Sequence, residues 1–298
     1  LSPSSSSTVN TTAVGYTLNE AIASGTVTYT RTGGTGDGSS PHTVNLTGSE
    51  LNSGTRSSAV LTNAPTLVSG TIYTIAFNGT DAGGNSATEV SVTGITYDTT
   101  APAISSVSPS SSSTVNTTAV GYTLNEAIAS GTVTYTRTGG TGDGSSPHTV
   151  NLTGSELNSG TRSSAVLTNA PTLVSGTIYT IAFNGTDAGG NSATEVSVTG
   201  ITYDTTAPTV TSVSTTADNR SSVSITDNIT VTFSEAMLTS TIDTTTSGDN
   251  STPSCAGSIQ MSSPKFDNGT CFKMTSGPVA SNSNRTFTLD PVDNLTVG

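Results

Sequence analysis

The chain has 298 residues, 31% of them hydrophobic and only 9% charged, and 20 acidic against 8 basic residues leave a formal net charge of -12. Without a basic stripe to neutralise phosphates, nucleic acid is excluded as a partner and anionic membrane surfaces are equally poor ones. No stretch approaches the roughly 18 consecutive apolar residues of a membrane-spanning helix. Strand signals begin early. Apolar and polar residues alternate with the period of two that a half-buried strand requires. Val14, Tyr16 and Leu18 share one face, as do Val27 and Tyr29, then Val44 and Leu46, then Tyr73, Ile75 and Phe77 in the longest run. These residues are the expected core. Val90 and Val92 have one parity and Ile95 and Tyr97 the other, so the phase slips at Gly94, and a β-bulge there would turn both pairs inward.

The pattern then repeats. Residues 2–102 recur without a change as residues 108–208, a period of 106. That is too long for a solenoid unit and suits one complete sandwich per repeat. The expected domains are residues 1–102, 103–208 and 209–298, each an immunoglobulin-like Greek-key β-sandwich. Two identical copies add reach or avidity to a stalk, whereas an enzyme gains little from them.

Leu67-Val68-Ser69-Gly70-Thr71-Ile72-Tyr73 resembles the tyrosine-corner signature of Greek-key sandwiches, in which the Tyr hydroxyl bonds back to upstream backbone; Tyr179 is its copy. The alternative is an ordinary strand tyrosine with its hydroxyl at the rim. Asp81-Ala82-Gly83-Gly84-Asn85 and Tyr97-Asp98-Thr99-Thr100-Ala101-Pro102 resemble the D-x-x-G-N and Y-D-T-T-A-P hallmarks of bacterial Ig-like (Big-type) repeats. The resemblance covers both repeats and implies a large secreted adhesin, surface-layer or filament protein whose Ig-like domains act as stalks. Proline in the closing segment stiffens the link to the next domain. The chain opens on Leu1-Ser2-Pro3 without a signal peptide, so a secretion signal or anchor is expected outside this segment.

Beyond Pro208 the sequence changes. Ile229-Thr230-Val231-Thr232-Phe233-Ser234-Glu235-Ala236-Met237, with Ser240-Thr241-Ile242, resembles the core of S-layer-type bacterial Ig-like domains. Strands are expected at residues 209–215, 229–233, 258–261, 271–274 and 285–289. Five are too few for a sandwich of about seven, so this domain is expected to be partial, with its last strands truncated or supplied by a neighbouring subunit. Cys255 and Cys271, sixteen residues apart in a secreted sandwich, are expected to form a disulfide rather than a metal site.

No catalytic constellation emerges, and none is expected. His42 and His148 are the only histidines, and each reads as a turn residue before a strand. No G-x-S-x-G accompanies them. The glycine-rich stretch around Asp37 lacks the Gly-Lys-Ser/Thr of a phosphate loop and reads as a long hairpin loop.

The sharpest site expectation concerns the domain junctions. In an Ig-like sandwich the loops after the second and sixth strands lie at one end, beside the linker from the preceding domain. That topology brings Asp98 of the linker towards Glu126, Asp187 and Asn191 of the second repeat. Carboxylates gathered without bases repel one another, and a hard divalent cation with oxygen ligands relieves that repulsion. Calcium-stiffened junctions are also what the Big-type resemblance implies. The alternative is that Asp98 and Asp187 only cap turns through their own backbone. By the same logic Glu20 and Asp81 await a linker preceding Leu1, and Asp204 and Glu235 form a half-site. The expected function is a non-catalytic extracellular stalk partnered by neighbouring Ig-like domains or by copies of itself in a fibre. The other reading is a multivalent module whose loops bind host or cell-surface glycans, and the loop at residues 33–41 discriminates between them: ordered against its own domain or the next subunit it favours the stalk, projecting freely with its copy at residues 139–147 it favours binding.

Overall fold

The computed structural model describes residues 1–215, 222–223, 228–244, 246, 257–260, 274–291 and 295–296. The chain is all-β, in two units, Leu1–Thr205 and Thr206–Gly298. The first unit holds two separate sandwich cores, one per repeat. Among the described residues no helix is long and apolar enough to cross a membrane.

Seven strands make up the first repeat: β1 (Thr8–Val9), β2 (Val14–Leu18), β3 (Ser24–Gly34), β4 (His42–Asn45), β5 (Gly54–Ala59), β6 (Thr71–Thr80) and β7 (Val90–Tyr97). One sheet has the order β1-β7-β6-β3-β4, and β2 pairs with β5 in the other. The second repeat has β8 (Ile104–Ser108), β9 (Thr114–Val115), β10 (Val120–Leu124), β11 (Ser130–Gly140), β12 (His148–Asn151), β13 (Gly160–Ala165), β14 (Thr177–Thr186) and β15 (Val196–Tyr203). Its sheets run β12-β11-β14-β15-β9 and β13-β10-β8. The leading segment therefore changes sheets. It runs antiparallel to β10 as β8, then parallel to β15 as β9.

The alternating residues form the core as their parity requires. Val14, Tyr16, Val27, Tyr29, Val44, Leu46, Tyr73, Ile75 and Phe77 are all buried, and Leu18 is partly buried against them. Leu61, in no alternating run, is buried as well. The phase slip is a bulge: Tyr73 pairs with Ile95 and Ile75 with Val92, leaving one extra residue on β7. Gly94 takes φ +70°, the left-handed conformation of such a bulge. Val92 and Ile95 are thereby both buried, but Val90 is 49% exposed, contrary to expectation. It lies at the end of β7 beside an open groove of the first repeat.

The second unit contains β16 (Val210–Thr215), β17 (Ser222–Val223), β18 (Ile229–Phe233), β19 (Val279–Ser281), β20 (Thr286–Leu289) and β21 (Leu295–Thr296). The sheet order is β16-β18-β20-β19, with β17 and β21 paired separately. Ile229, Val231, Met274 and Leu289 form its buried cluster. Residues 258–260 carry no strand, contrary to expectation: Ser258 instead bonds back to Asp243, whose Oδ1 accepts its N–H at 2.7 Å. Strand β19 was not anticipated, being three residues flanked by Pro278 and a turn. Cys255 and Cys271 lie outside the described residues.

Gly94→Ala puts a Cβ on a left-handed residue, and because Ser6 leaves ordinary contact space the effect is backbone strain rather than collision. The substitution is expected to destabilise the first repeat by about 1–2 kcal/mol. Gly200→Ala should do the same to the second, both read by chemical denaturation.

Candidate metal centre between the first two repeats

Each acid of the junction is placed by a different strand end. Asp98 immediately follows β7, Glu126 follows β10 and Asp187 follows β14. One carboxylate oxygen from each lies within 4.8 Å of the other two. Asp187 is buried, and the other two are partly buried.

Local hydrogen bonds hold Asp98 and Asp187 in position. Ser69 Oγ donates to Asp98 Oδ1 at 3.2 Å, the Thr100 N–H donates to the same oxygen at 2.9 Å, and the Asp98 N–H donates to Val9 O at 2.8 Å. Asp187 Oδ1 accepts the Asn191 N–H at 2.8 Å. Asn191 Nδ2 donates both to Asp187 Oδ2 and to the Asp98 carbonyl, each at 2.8 Å. Asn191 thus ties the linker to the second repeat through its amide nitrogen, while its Oδ1 accepts from Asn10 Nδ2 at 3.2 Å. Turn capping and convergence occur together, because the backbone bonds of Asp98 and Asp187 occupy only part of each carboxylate's capacity.

The electrostatic strain falls on Glu126. Burial raises its pKa first, the charges of Asp98 and Asp187 raise it further, and a bond from Asn125 opposes them. A pKa raised in this way marks a carboxylate that lacks a countercharge. Hard oxygen donors without a nearby base are the donor set of a calcium-type ion.

The other expected ligands are not gathered in this way. Asp81 Oδ1 and Oδ2 accept the backbone and side-chain N–H groups of Asn85, each at 2.8 Å, and those bonds lower its pKa. Glu20 is exposed. Asp204 Oδ1 accepts from Ser175 Oγ at 3.2 Å in the first unit. Glu235 belongs to the second unit, where its Oε1 is buried without a partner among the described residues.

A second polar centre sits at the other end of each sandwich. Tyr73 Oη accepts the Val68 N–H at 3.2 Å and donates to Asp37 Oδ2 at 2.7 Å, and His42 Nε2 lies 2.6 Å from that same oxygen. The Ser39 N–H donates to Asp37 Oδ1 at 3.0 Å. Tyr179, Asp143 and His148 repeat the arrangement. Bonds from Tyr73 and then His42 lower the Asp37 pKa to about 2. Reading Asp37 as a loop residue and His42 as a turn residue missed this cluster, and His42 opens β4 rather than standing in a turn. The one signal for it was an acid kept inside a glycine-rich loop in a chain so poor in charge.

Comparison with known proteins places the chain. The family described as bacterial Ig-like domain matches residues 98–202 and 204–298. The chain belongs to that family. Residues 2–97, outside both matches, are identical to residues 108–203 and take the same strands. The first match begins at Asp98, so the junction acid is counted with the Ig-like domain it leads into. No curated protein matches. A crystal structure described as a tetra-tandem repeat in the extending region of a large adhesion protein is similar at 18% identity, with a TM-score of 0.27, over 96% of this chain and 65% of that chain.

The depressed pKa of Asp37 sets a pH window. Its bonds stabilise these Ig-like repeats above the ordinary carboxylate range near 3.8, and that contribution is lost as pH falls through about 2. Melts between pH 5 and pH 2 should show this acid limb, and Asp37→Asn with Asp143→Asn should flatten it while lowering the melting temperature at pH 7.

Proposed function

We propose that the chain is a non-catalytic stalk segment of an extracellular bacterial adhesin or filament protein, with Ig-like domains at residues 1–102, 103–208 and 209–298. The observation that carries this reading is how the loop at residues 33–41 is spent. Asp37 is turned inward onto Tyr73 and His42. The Thr35 N–H donates to Gly70 O at 2.9 Å, and Thr71 Oγ1 donates to Thr35 O at 3.0 Å. The Asp37 carboxylate and the Thr35 backbone are thereby committed to their own sandwich and not to a ligand. The repeat itself supports the same reading, since an unchanged copy adds length.

Within this reading Asp98, Glu126 and Asp187 hold a calcium ion that stiffens the link between the first two domains. Their convergence and the raised Glu126 pKa support it. Asn191 acts as a positioning residue, its amide nitrogen fixing Asp187 against the linker carbonyl. The partners are neighbouring Ig-like domains, and the setting is the cell surface or a secreted filament.

Two measurements test the proposal. In the intact surface protein, deletion of residues 103–208 should shorten its projection from the cell, while substitutions in residues 33–41 leave adhesion unchanged. Adhesion lost on loop substitution at full length would favour the binding-module reading instead.

For the ion, calcium should raise the melting temperature of the first unit relative to chelator, by the equivalent of about 2.7 kcal/mol at a hundredfold excess over Kd. Glu126 has a raised folded pKa, so without ion its charge costs stability as pH rises through that value. Glu126→Gln should therefore raise ion-free stability at neutral pH and remove most of the calcium response. An unchanged melting temperature across calcium concentrations would overturn the ion.

A further inference from the structure

A closed ring of hydrogen bonds joins the first two repeats, and no side-chain charge takes part in it. Asn10 follows β1, whose last residue, Val9, accepts the Asp98 N–H through its carbonyl at 2.8 Å. The Asp98 carbonyl accepts from Asn191 Nδ2 at 2.8 Å, and Asn191 Oδ1 accepts from Asn10 Nδ2 at 3.2 Å. The peptide between Val9 and Asn10 closes the ring. Its members are the end of β1, the linker and the loop after β14. At position 191 the ring needs a side chain that donates and accepts at once. An amide does so, having two N–H donors and an acceptor oxygen. Asn191 spends its donors on Asp187 Oδ2 and the Asp98 carbonyl, and its oxygen on Asn10. The loop backbone is shaped for the same contact: a Cβ on Gly189 would lie 3.1 Å from the Asp98 carbonyl oxygen, and glycine lets the loop come this close. Asn10 is exposed, and among the described residues its side chain bonds only to Asn191.

We propose that Asn10 and the Asp98 carbonyl form a docking surface at the end of the first repeat for the loop at residues 187–191 of the second, and that this neutral clasp fixes the angle between the two repeats with no ion present. Asn10 and Asn191 are its positioning residues. A single neutral bond at a surface stabilises little by itself. Bonds that leave one amide in three directions fix its plane, however, and the loop that carries it is fixed with it. The clasp deepens the stalk reading, because a stiff link is what gives a chain of domains reach. It does not rest on the calcium ion proposed for Asp98, Glu126 and Asp187, since none of the bonds that close the ring uses a carboxylate. An ion there would tighten a link already oriented.

The test uses the 298-residue chain in chelator, with spin labels on non-natural residues replacing Ser57 and Ser163, exposed copies of one position on β5 and β13. Pulsed electron resonance reads the distance between the labels. A narrow distribution is expected in the labelled parent, broadened in Asn10→Ala and in Asn191→Ala. Asn191→Asp should broaden it too, since a carboxylate has no N–H to give the Asp98 carbonyl. Asn116→Ala, the same substitution in the second repeat, should leave it narrow. Chemical denaturation of Asn10→Ala should match the parent, because that side chain makes no bond inside its own repeat, and a match separates the clasp from the fold. Three results would overturn the proposal: a distribution already broad in the parent without calcium, one that stays narrow in Asn10→Ala, or equal broadening by Asn116→Ala. A narrow parent distribution in chelator that calcium leaves unchanged, with an unchanged melting temperature, would remove the ion and keep the clasp.

Discussion

In each repeat the antiparallel pairing of the two longest strands holds the remaining parts in place. In the first, β3 and β6 run from Ser24 opposite Thr80 to Gly34 opposite Thr71. Val27 faces Phe77 and Tyr29 faces Ile75 across this ladder, all buried. Cross-strand apolar pairs of this kind are the unit of sheet stability, and a slip of one residue would turn every one of them outward. The two ends of the ladder carry the two polar centres. Where β6 begins, Tyr73 meets Asp37 from the loop beyond β3; where β6 ends, the chain turns through Asp81, whose copy Asp187 joins the junction.

Charge is scarce in this chain, and its buried acids are placed according to what surrounds them. Asp37 is met by a phenol and an imidazole, and its ionised form is favoured. Glu50 is buried too. Its Oε2 accepts the Thr47 N–H at 2.8 Å and its Oε1 the Thr62 N–H at 2.7 Å, capping a short 3-10 turn and tying it to the turn beyond β5. Glu126 is partly buried beside Asp98 and Asp187 with only the Asn125 side chain to oppose them, and its ionised form is disfavoured. The contrast separates structural carboxylates, satisfied by their own domain, from one whose environment is incomplete without a countercharge.

The leading segment of the second repeat unites these features. It supplies an edge strand to one sheet, then a parallel strand to the other, and its first residue supplies the junction acid. The family match begins at Asp98, ahead of that strand. Consecutive domains share their chain at the point where they share their charge.

Alternation with period two and the identical repeat were legible in the residues themselves, because side-chain parity on a strand is a local property. They determined the sandwich fold, most of its core and the bulge at Gly94. Loop order along the chain brought Asp98, Glu126 and Asp187 into one argument before any coordinate did, since Greek-key topology sends those loops to one end. The inward turn of Asp37, the buried role of Glu50 and the exposure of Val90 were not legible. Each depends on a partner far away in sequence: Tyr73 is 36 residues from Asp37 and Thr62 is 12 from Glu50. Sequence alone determined which residues alternate and which acids the chain carries, and only the tertiary structure decided which of those acids is satisfied within its own domain, because burial belongs to a neighbour's position and not to a residue's identity.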